Sequence, residues 1–365
     1  MERLGILLGN SILNRVINNK KSFEKVSLYQ KLAKKYQLEL CFFRIRDVSS
    51  ETERVKVYYY ENDEWKQEVM EIPRVIYNRA RLYSQGDKRT LQQLVKTGRI
   101  VFNQWNLYGK LYLYELLTEN KKLRPYLPQT LPFDKDHLNK CIDQWTSFFV
   151  KPNKGSVGMG IKKATKLSDG EWELQYVKHG VRERKVMNKE ALTAFLTSAL
   201  SRRHHIQETI PLARWKGAPF DIRISVQKGM DGTWKVPGMV AKVAAKGNFL
   251  TNVAQGGKCY PLESILDPPL KAPKIKDHLE EVAIQFVKYL DGKIPHLADV
   301  GFDFGIDQKG HPYFIEMNLR DQRKCFVKGK MLDVWGRLFE SPLAYGRYLL
   351  NQCKKQKGSK SMNVL

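Results

Sequence analysis

The segment Phe148-Phe149-Val150-Lys151-Pro152-Asn153-Lys154-Gly155-Ser156-Val157-Gly158-Met159-Gly160-Ile161 constrains this chain more than any other. An apolar run ends in a lysine, three glycines follow within six residues, and apolar character then returns. Glycines let backbone N–H groups wrap phosphate oxygens, and a lysine leaving the preceding strand adds a point charge for them. The same pattern would also serve a flexible hairpin with a surface lysine. It is not a Walker loop, because Ile161-Lys162 stands where Lys-Ser/Thr is required, and it does not fit GxGxxG.

A second constellation lies near the C-terminal end. Residues 300–306 and 313–317 have the texture of two strands joined by Asp307-Gln308-Lys309-Gly310, which is good hairpin chemistry. Alternation puts Glu316 and Asn318 on one face, and the neighbouring strand can bring Asp303 beside them. Three oxygen donors at one spot suit magnesium carried by a nucleotide. A sheet with one polar, solvated face would look the same. Between the two constellations, Arg223 follows Asp221-Ile222 on one expected strand and Lys242 lies on the next, followed by Asn252 and Gly256-Gly257. These cations could neutralise a transferring phosphoryl group or simply decorate a strand surface.

The remaining texture is that of an α/β protein. Residues 4–8 read as a buried strand, 23–36 as a helix, 38–45, 55–60 and 75–77 as strands. Asn106 can cap a helix over 107–117. Strands follow at 147–150, 171–177 and 185–187, with a helix at 189–200. Further strands at 206–210, 221–226 and 234–245 lead to helices at 277–290 and 331–350. We expect domains at residues 1–102, 103–203 and 204–330, then a closing helix and a solvated basic tail over 331–365.

Sixty-three Lys and Arg against 38 Asp and Glu give a formal charge of +25, which points to an anionic partner. The basic residues are scattered and form no compact arm or nucleic-acid motif, so a nucleic-acid reading rests on charge alone. Five cysteines without a CxxC pair indicate neither a zinc site nor a disulfide framework, and their odd number fits a reducing compartment. No run approaches the ~20 apolar residues of a membrane helix. A cytoplasmic protein without membrane partners is expected.

In the order lysine, glycine loop, Asp-x-Arg, basic strand, Asn-x-x-x-Gly-Gly, Asp and Glu-x-Asn, the chain resembles the ATP-grasp superfamily over roughly residues 103–320. Val75-Ile76-Tyr77-Asn78-Arg79, Phe102-Asn103, Leu127-Pro128-Gln129-Thr130, Phe220-Asp221-Ile222-Arg223 and Ile315-Glu316-Met317-Asn318 are similar to YheC/YheD-type endospore coat-associated proteins. The resemblance implies an ATP-grasp fold of two α+β lobes behind an N-terminal pre-ATP-grasp domain. It also implies an ATP-dependent carboxylate–amine ligase with ATP and magnesium, working through an acyl phosphate. The alternative is a coat-associated structural protein that binds nucleotide without turnover.

By the same resemblance, Lys110 and Lys151 reach the phosphates, and Gly155, Ser156, Gly158 and Gly160 close over them. Gln207, Glu208, Thr209 and Ile210 read the adenine. Arg223, Lys242 and Asn252 face the γ-phosphate, while Asp303, Glu316 and Asn318 hold magnesium. One departure stands out: many peptide-forming members have small residues and Pro-Gly after the asparagine, where this chain has Leu319-Arg320-Asp321-Gln322-Arg323. Arg320 and Arg323 could fork a substrate carboxylate or salt-bridge Asp321. If the charge serves an acidic peptide, basic residues should line a groove with these two arginines at its inner end.

Overall fold

The computed structural model describes residues 2–49, 51–62, 64–155, 158–178, 181–266, 270 and 272–362, without the side chains of residues 178 and 357–362. Ser156 therefore lies outside the described residues. Three sheets follow one another along the chain.

The first sheet contains β1 (Glu2–Leu7), β2 (Leu38–Phe43), β3 (Val48–Ser49), β4 (Arg54–Glu61), β5 (Glu64–Glu71), β6 (Val75–Asn78) and β7 (Ile100–Phe102). Its centre, β2-β1-β6-β7, is parallel. Parallel strands are covered on both faces, which is why β1 and β6 are apolar almost throughout rather than alternating. On one face Leu4, Ile6, Val75 and Tyr77 pack on Tyr29 and Ala33 of α2 (Val26–Lys35). On the other, Leu7, Ile76 and Val101 pack on Leu91 and Leu94 of α3 (Gln85–Lys96). A short α1 (Asn10–Ile17) links β1 to α2.

The second sheet, β8 (Thr130–Pro132), β9 (Ser147–Pro152), β10 (Lys162–Lys166), β11 (Trp172–Lys178), β12 (Val181–Met187) and β13 (His204–Glu208), is antiparallel in the order β12-β11-β10-β9-β13-β8. It packs on α5 (Lys135–Gln144) and α6 (Lys189–Ala199). The third is also antiparallel, with β14 (Arg214–Trp215), β15 (Ala218–Lys228), β16 (Trp234–Val243), β17 (Lys258–Tyr260), β18 (Asp299–Ile306) and β19 (Pro312–Asn318) in the order β17-β16-β15-β18-β19, and β14 folded onto β15. Leu279, Val282, Phe286 and Leu290 of α7 (Ala272–Asp291) recur at helical spacing and seal this sheet's apolar face against Ile222, Ile224, Phe302 and Phe304.

Helices α1, α3 and α5 and strands β5 and β10 were not expected, and three further features differ from expectation. Helix α4 (Lys110–Thr118) starts after Gly109 rather than at Asn106. The buried Asn106 amide donates instead to the Ala80 carbonyl at 2.7 Å, tying this connection to the first sheet. Although α4 lies in the stretch expected to belong to the second sheet's lobe, Leu113, Leu116 and Leu117 enter the third sheet's core. Finally, after the short α8 (Lys324–Lys328), helix α9 (Leu332–Met362) runs through the expected basic tail, where Lys354 pairs with Glu2 at 3.0 Å. Among the described residues, no helix is long and apolar enough to cross a membrane.

Helix α9 is part of the first sheet's core: Phe339, Leu343 and Leu350 pack with Leu4, Phe42 and Phe102. The buried Phe339 ring meets Tyr29 edge-on at 4.9 Å. Phe339→Ala should therefore lower unfolding free energy by about 3–5 kcal/mol, seen as an earlier urea midpoint. A loss typical of a surface site would mean that α9 is only appended.

Candidate functional site

Between the second and third sheets lies a cleft of about 1170 Å³. Its floor on the third sheet is set by register. Asp303 on β18 faces Glu316 on β19, Gly301 faces Asn318, and a bulge follows Asp303. The Asn318 amide comes within 3.2 Å of Glu316 Oε1 and 3.5 Å of Asp303 Oδ2. Among the described residues no three His, Cys, Asp or Glu side chains gather as a metal set; the gathered donors here are two carboxylates and one amide.

Cations crowd these carboxylates. Arg223 grips Asp303 with Nε at 2.6 Å and Nη2 at 2.9 Å, a two-point contact that suits a planar guanidinium. Lys242, opposite Asp221 in the β15–β16 register, sits 2.9 Å from Asp221 and 3.0 Å from Asp303. Lys110, the first residue of α4, reaches Glu316 at 2.8 Å. Burial alone would raise the Glu316 carboxyl, but Lys110, with Lys242 and Arg223 behind it, holds it well below the usual range. Burial pushes Asp221 up to about 6, with Lys242 opposing and Asp303 assisting.

The second sheet supplies the opposite wall. Lys151 lies opposite His205 in the β9–β13 register and donates to the Gln207 amide oxygen. Among the described residues it has no carboxylate partner, unlike Lys110, Arg223 and Lys242. Burial and then the neighbouring Lys110 lower its ammonium to about 7. The loop beyond β9 is held by the Lys110 N–H donating to the Asn153 carbonyl at 2.9 Å. Gly158 and Gly160 adopt φ of 73° and 75°, and a Cβ on Gly158 would lie 2.7 Å from the Asn252 amide. That contact brings the glycine loop and Asn252 together from different lobes.

Gln207 and Glu208 end β13, and Thr209 and Ile210 carry the chain to the third sheet; all four line the cleft. The Thr209 hydroxyl lies 2.9 Å from that of Ser147. Lys163, Arg214, Lys216 and Lys246 also line the cleft, without having been singled out in the sequence.

The two arginines after Asn318 both lie off the cleft wall. Arg323 is buried, with Nη2 2.8 Å from Asp299 and 2.9 Å from the Tyr77 hydroxyl, and its guanidinium lies over the Phe339 ring. It belongs to the junction with the first sheet and does not line the cleft. Arg320 donates through Nη1 to the Arg79 carbonyl at 3.3 Å and lies over Phe23, also away from the cleft wall. Neither guanidinium pairs with Asp321. That carboxylate is occupied by Arg223 Nη1 at 2.8 Å, the Ser225 hydroxyl at 2.5 Å and the Arg323 N–H at 3.2 Å. Asp321 and Ser225 thus position Arg223, a role the one-dimensional spacing did not suggest.

Three consecutive sheets, with a glycine loop and a carboxylate floor facing across the last two, define an ATP-grasp fold. Residues 98–349, more than half of the chain, match the YheC/D-like ATP-grasp family, and the chain belongs to that family. Over 328 residues it is 24% identical to the endospore coat-associated protein YheD of Bacillus subtilis (strain 168), covering 85% of this chain and 70% of that one. It is 23% identical over 340 residues to YheC of the same organism, covering 90% and 92%. D-cycloserine synthetase DcsG superposes with a TM-score of 0.52 at 12% identity, covering 93% of this chain and 99% of that one. For the ATP-grasp ligase PsnB, complexed with a minimal precursor, the values are 0.51, 13%, 92% and 99%. D-alanyl-alanine synthetase A from Vibrio cholerae O1 biovar eltor gives 0.50, 12%, 93% and 98%. At such identities the likeness is one of fold, and these neighbours are ligases.

Asp321→Asn leaves the shape of the Arg223 cradle but removes a buried counter-charge. Because Asp303 still holds the guanidinium, we expect a stability loss of about 2–3 kcal/mol by urea unfolding. An unchanged midpoint would show that Asp303 alone suffices.

Proposed function

We propose that this chain is an ATP-dependent carboxylate–amine ligase that forms an amide or peptide bond through an acyl phosphate. The observation that carries the reading is one cleft with Lys110 and Lys242 paired to Glu316 and Asp303 on one wall, Arg223 and Asn318 just behind those carboxylates, and on the other Gly158 of the glycine loop with Lys151, which has no carboxylate partner among the described residues. Gln207 to Ile210 read the adenine, and Lys110, Lys151 and the loop from Gly155 to Gly160 hold the phosphates. Arg223, Lys242 and Asn252 meet the γ-phosphoryl group. Residues 1–102, 103–203, 204–330 and 331–365 serve as the working divisions of the chain.

In the reaction, a substrate carboxylate oxygen attacks the γ-phosphorus while the bond to the ADP oxygen breaks. An amine then attacks the acyl carbon, phosphate departs, and the amine's proton leaves with it. No side-chain nucleophile is needed; Arg223 and Lys242 act by stabilising the charge that gathers on the phosphoryl oxygens. The donors Asp303, Glu316 and Asn318 fit magnesium, being hard oxygens already drawn within 3.5 Å of the shared amide. When bound, magnesium would supply further charge neutralisation for the phosphates. Lys110, Arg223 and Lys242 have carboxylate partners to release when phosphate arrives; Lys151 has none.

That difference has a measurable sign. Lys151 sits near 7 in the free protein, so above neutrality its neutral form dominates, and phosphate must restore the proton. At about pH 8, binding of ATP with magnesium should take up close to one proton, measured by calorimetry in buffers of different ionisation enthalpy. Lys151→Met should abolish the uptake.

ATP with magnesium should raise the melting temperature, and Glu316→Ala should shrink that shift. The absence of any shift in the wild type at millimolar nucleotide would remove the ligase reading. Arg223→Ala should keep nucleotide binding and lose substrate-dependent ADP release. Nucleotide binding with no ADP release across a screen of amino acids and acidic peptides would instead favour the non-catalytic, coat-associated alternative.

A further inference from the structure

Next to the cleft, where the chain leaves β19, the fold gathers cations that it does not neutralise. Arg320 lies two residues past Asn318, no more than about 7 Å of chain away. Its guanidinium is 5.2 Å from the centre of the Phe23 ring, and the Lys324 ammonium is 5.5 Å from the same ring. Arg81, on the connection after β6, belongs to the same electrostatic neighbourhood. Among the described residues, none of Arg81, Arg320 and Lys324 has a carboxylate within salt-bridge distance. The nearby Glu24 is committed, accepting from Arg79 Nε at 2.9 Å and from the Tyr29 hydroxyl at 2.9 Å.

The donors are as informative as the charges. The Nε atoms of Arg81 and Arg320 are both buried and have no hydrogen-bond partner. Arg320 uses Nη1 on the Arg79 carbonyl, which leaves its Nε edge free. That edge is one a carboxylate can bridge with two parallel hydrogen bonds. Leaving such donors unpaired costs free energy in the empty protein; Arg323 Nε is unpartnered too, but its other donors hold Asp299, so what marks this cluster is the orphaned donor together with the lack of a carboxylate partner among the described residues.

We propose that Arg320 and Lys324, both over Phe23, together with Arg81 beside Arg320, form an anion subsite that receives a second carboxylate of the substrate, one other than the carboxylate activated in the cleft. The inference rests on the ligase reading and narrows it to acidic substrates. A substrate reacting above Asn318 and extending toward the first sheet meets this cluster next. Its charge is supplied by two segments distant in sequence, one carrying Arg81 and the other Arg320 and Lys324, and Phe23 comes from a third, so the subsite exists only in the folded chain. Arg323, which is paired with Asp299, takes no part.

The test uses the full chain with magnesium and a non-hydrolysable ATP analogue, titrated calorimetrically with tetra-glutamate, tetra-glutamine and free glutamate. Tetra-glutamate should bind about tenfold or more tightly than tetra-glutamine, and Arg81→Gln and Arg320→Gln should each weaken it by about tenfold. Affinity for the ATP analogue should change by less than about twofold. Arg81 makes no hydrogen bond with other described residues, so Arg81→Gln separates loss of the subsite from loss of fold, with the urea midpoint as control. Free glutamate equalling tetra-glutamate, with the same losses, would support the subsite and assign it to an acidic amino acid. A clear advantage of tetra-glutamate would support it and assign it to an acidic peptide. Equal binding of the glutamate and glutamine peptides, or variants that bind like the wild type, would overturn it while nucleotide binding stands. Failure of the wild type to bind the ATP analogue would instead strike the ligase reading.

Discussion

Strand β18 is buried along its whole length yet carries two aspartates, Asp299 and Asp303, four residues apart. A carboxylate taken out of water costs several kcal/mol unless cations and hydrogen bonds replace its hydration, so each must recruit partners from elsewhere in the fold. Asp299 draws Arg323, Arg79 and Tyr77, and with them the first sheet. Asp303 draws Arg223 and Lys242 and builds the cleft floor. Gly301 stands between them because a side chain there would press within about 3 Å of Asp321 and Arg223. The opposite residues of the strand, Phe302 and Phe304, seal the core under α7.

The two aspartates are not independent. Asp321 holds Arg223 from behind, while its carbonyl accepts from Arg79 at 2.8 Å. Arg79 in turn bonds Glu24 just ahead of α2. Asn103 adds a second tie, accepting from the N–H groups of Ala298 and Asp299 and donating to the carbonyls of Asp299 and Leu319. The cation nearest the proposed phosphoryl site is thus continuous, through buried polar contacts, with the first sheet. Such a network is costly to leave half satisfied, which explains why the segment after Asn318 is polar in this chain and why it packs inward.

On the cleft floor Lys110, Arg223 and Lys242 are each paired with a carboxylate in the free protein, whereas among the described residues Lys151 and the outlying Lys163, Arg214, Lys216 and Lys246 are not. A preorganised ring of this kind needs little rearrangement to accept phosphate, since the charges are already desolvated and oriented. The cluster around Phe23 has the opposite character, with several cations and no internal carboxylate. On the ligase reading the two regions divide the work: one handles the nucleotide, and the other selects what is joined.

Much of this was legible in the sequence because it is local. Strand alternation alone put Glu316 and Asn318 on one face with Asp303 across the hairpin, and the observed register agrees. The glycine loop, the Asp221-x-Arg223 strand and Lys242 likewise follow from spacing of two or from backbone freedom, neither of which needs a distant partner. Helices α1, α3 and α5 went unread although each carries an apolar stripe at helical spacing, Leu13 and Val16 in α1, Leu91 and Leu94 in α3, and Leu138, Cys141 and Ile142 in α5, so for these the signal was present in the sequence. What only the tertiary structure decided was which charge meets which: Asp321 pairs with Arg223 rather than its neighbouring arginines, Arg323 turns into the first sheet, α9 completes that sheet's core, and α4 crosses to the third. Those outcomes depend on which desolvated surfaces come together, and the free energy of a buried charge is set by partners that lie from tens to more than two hundred residues away along the chain.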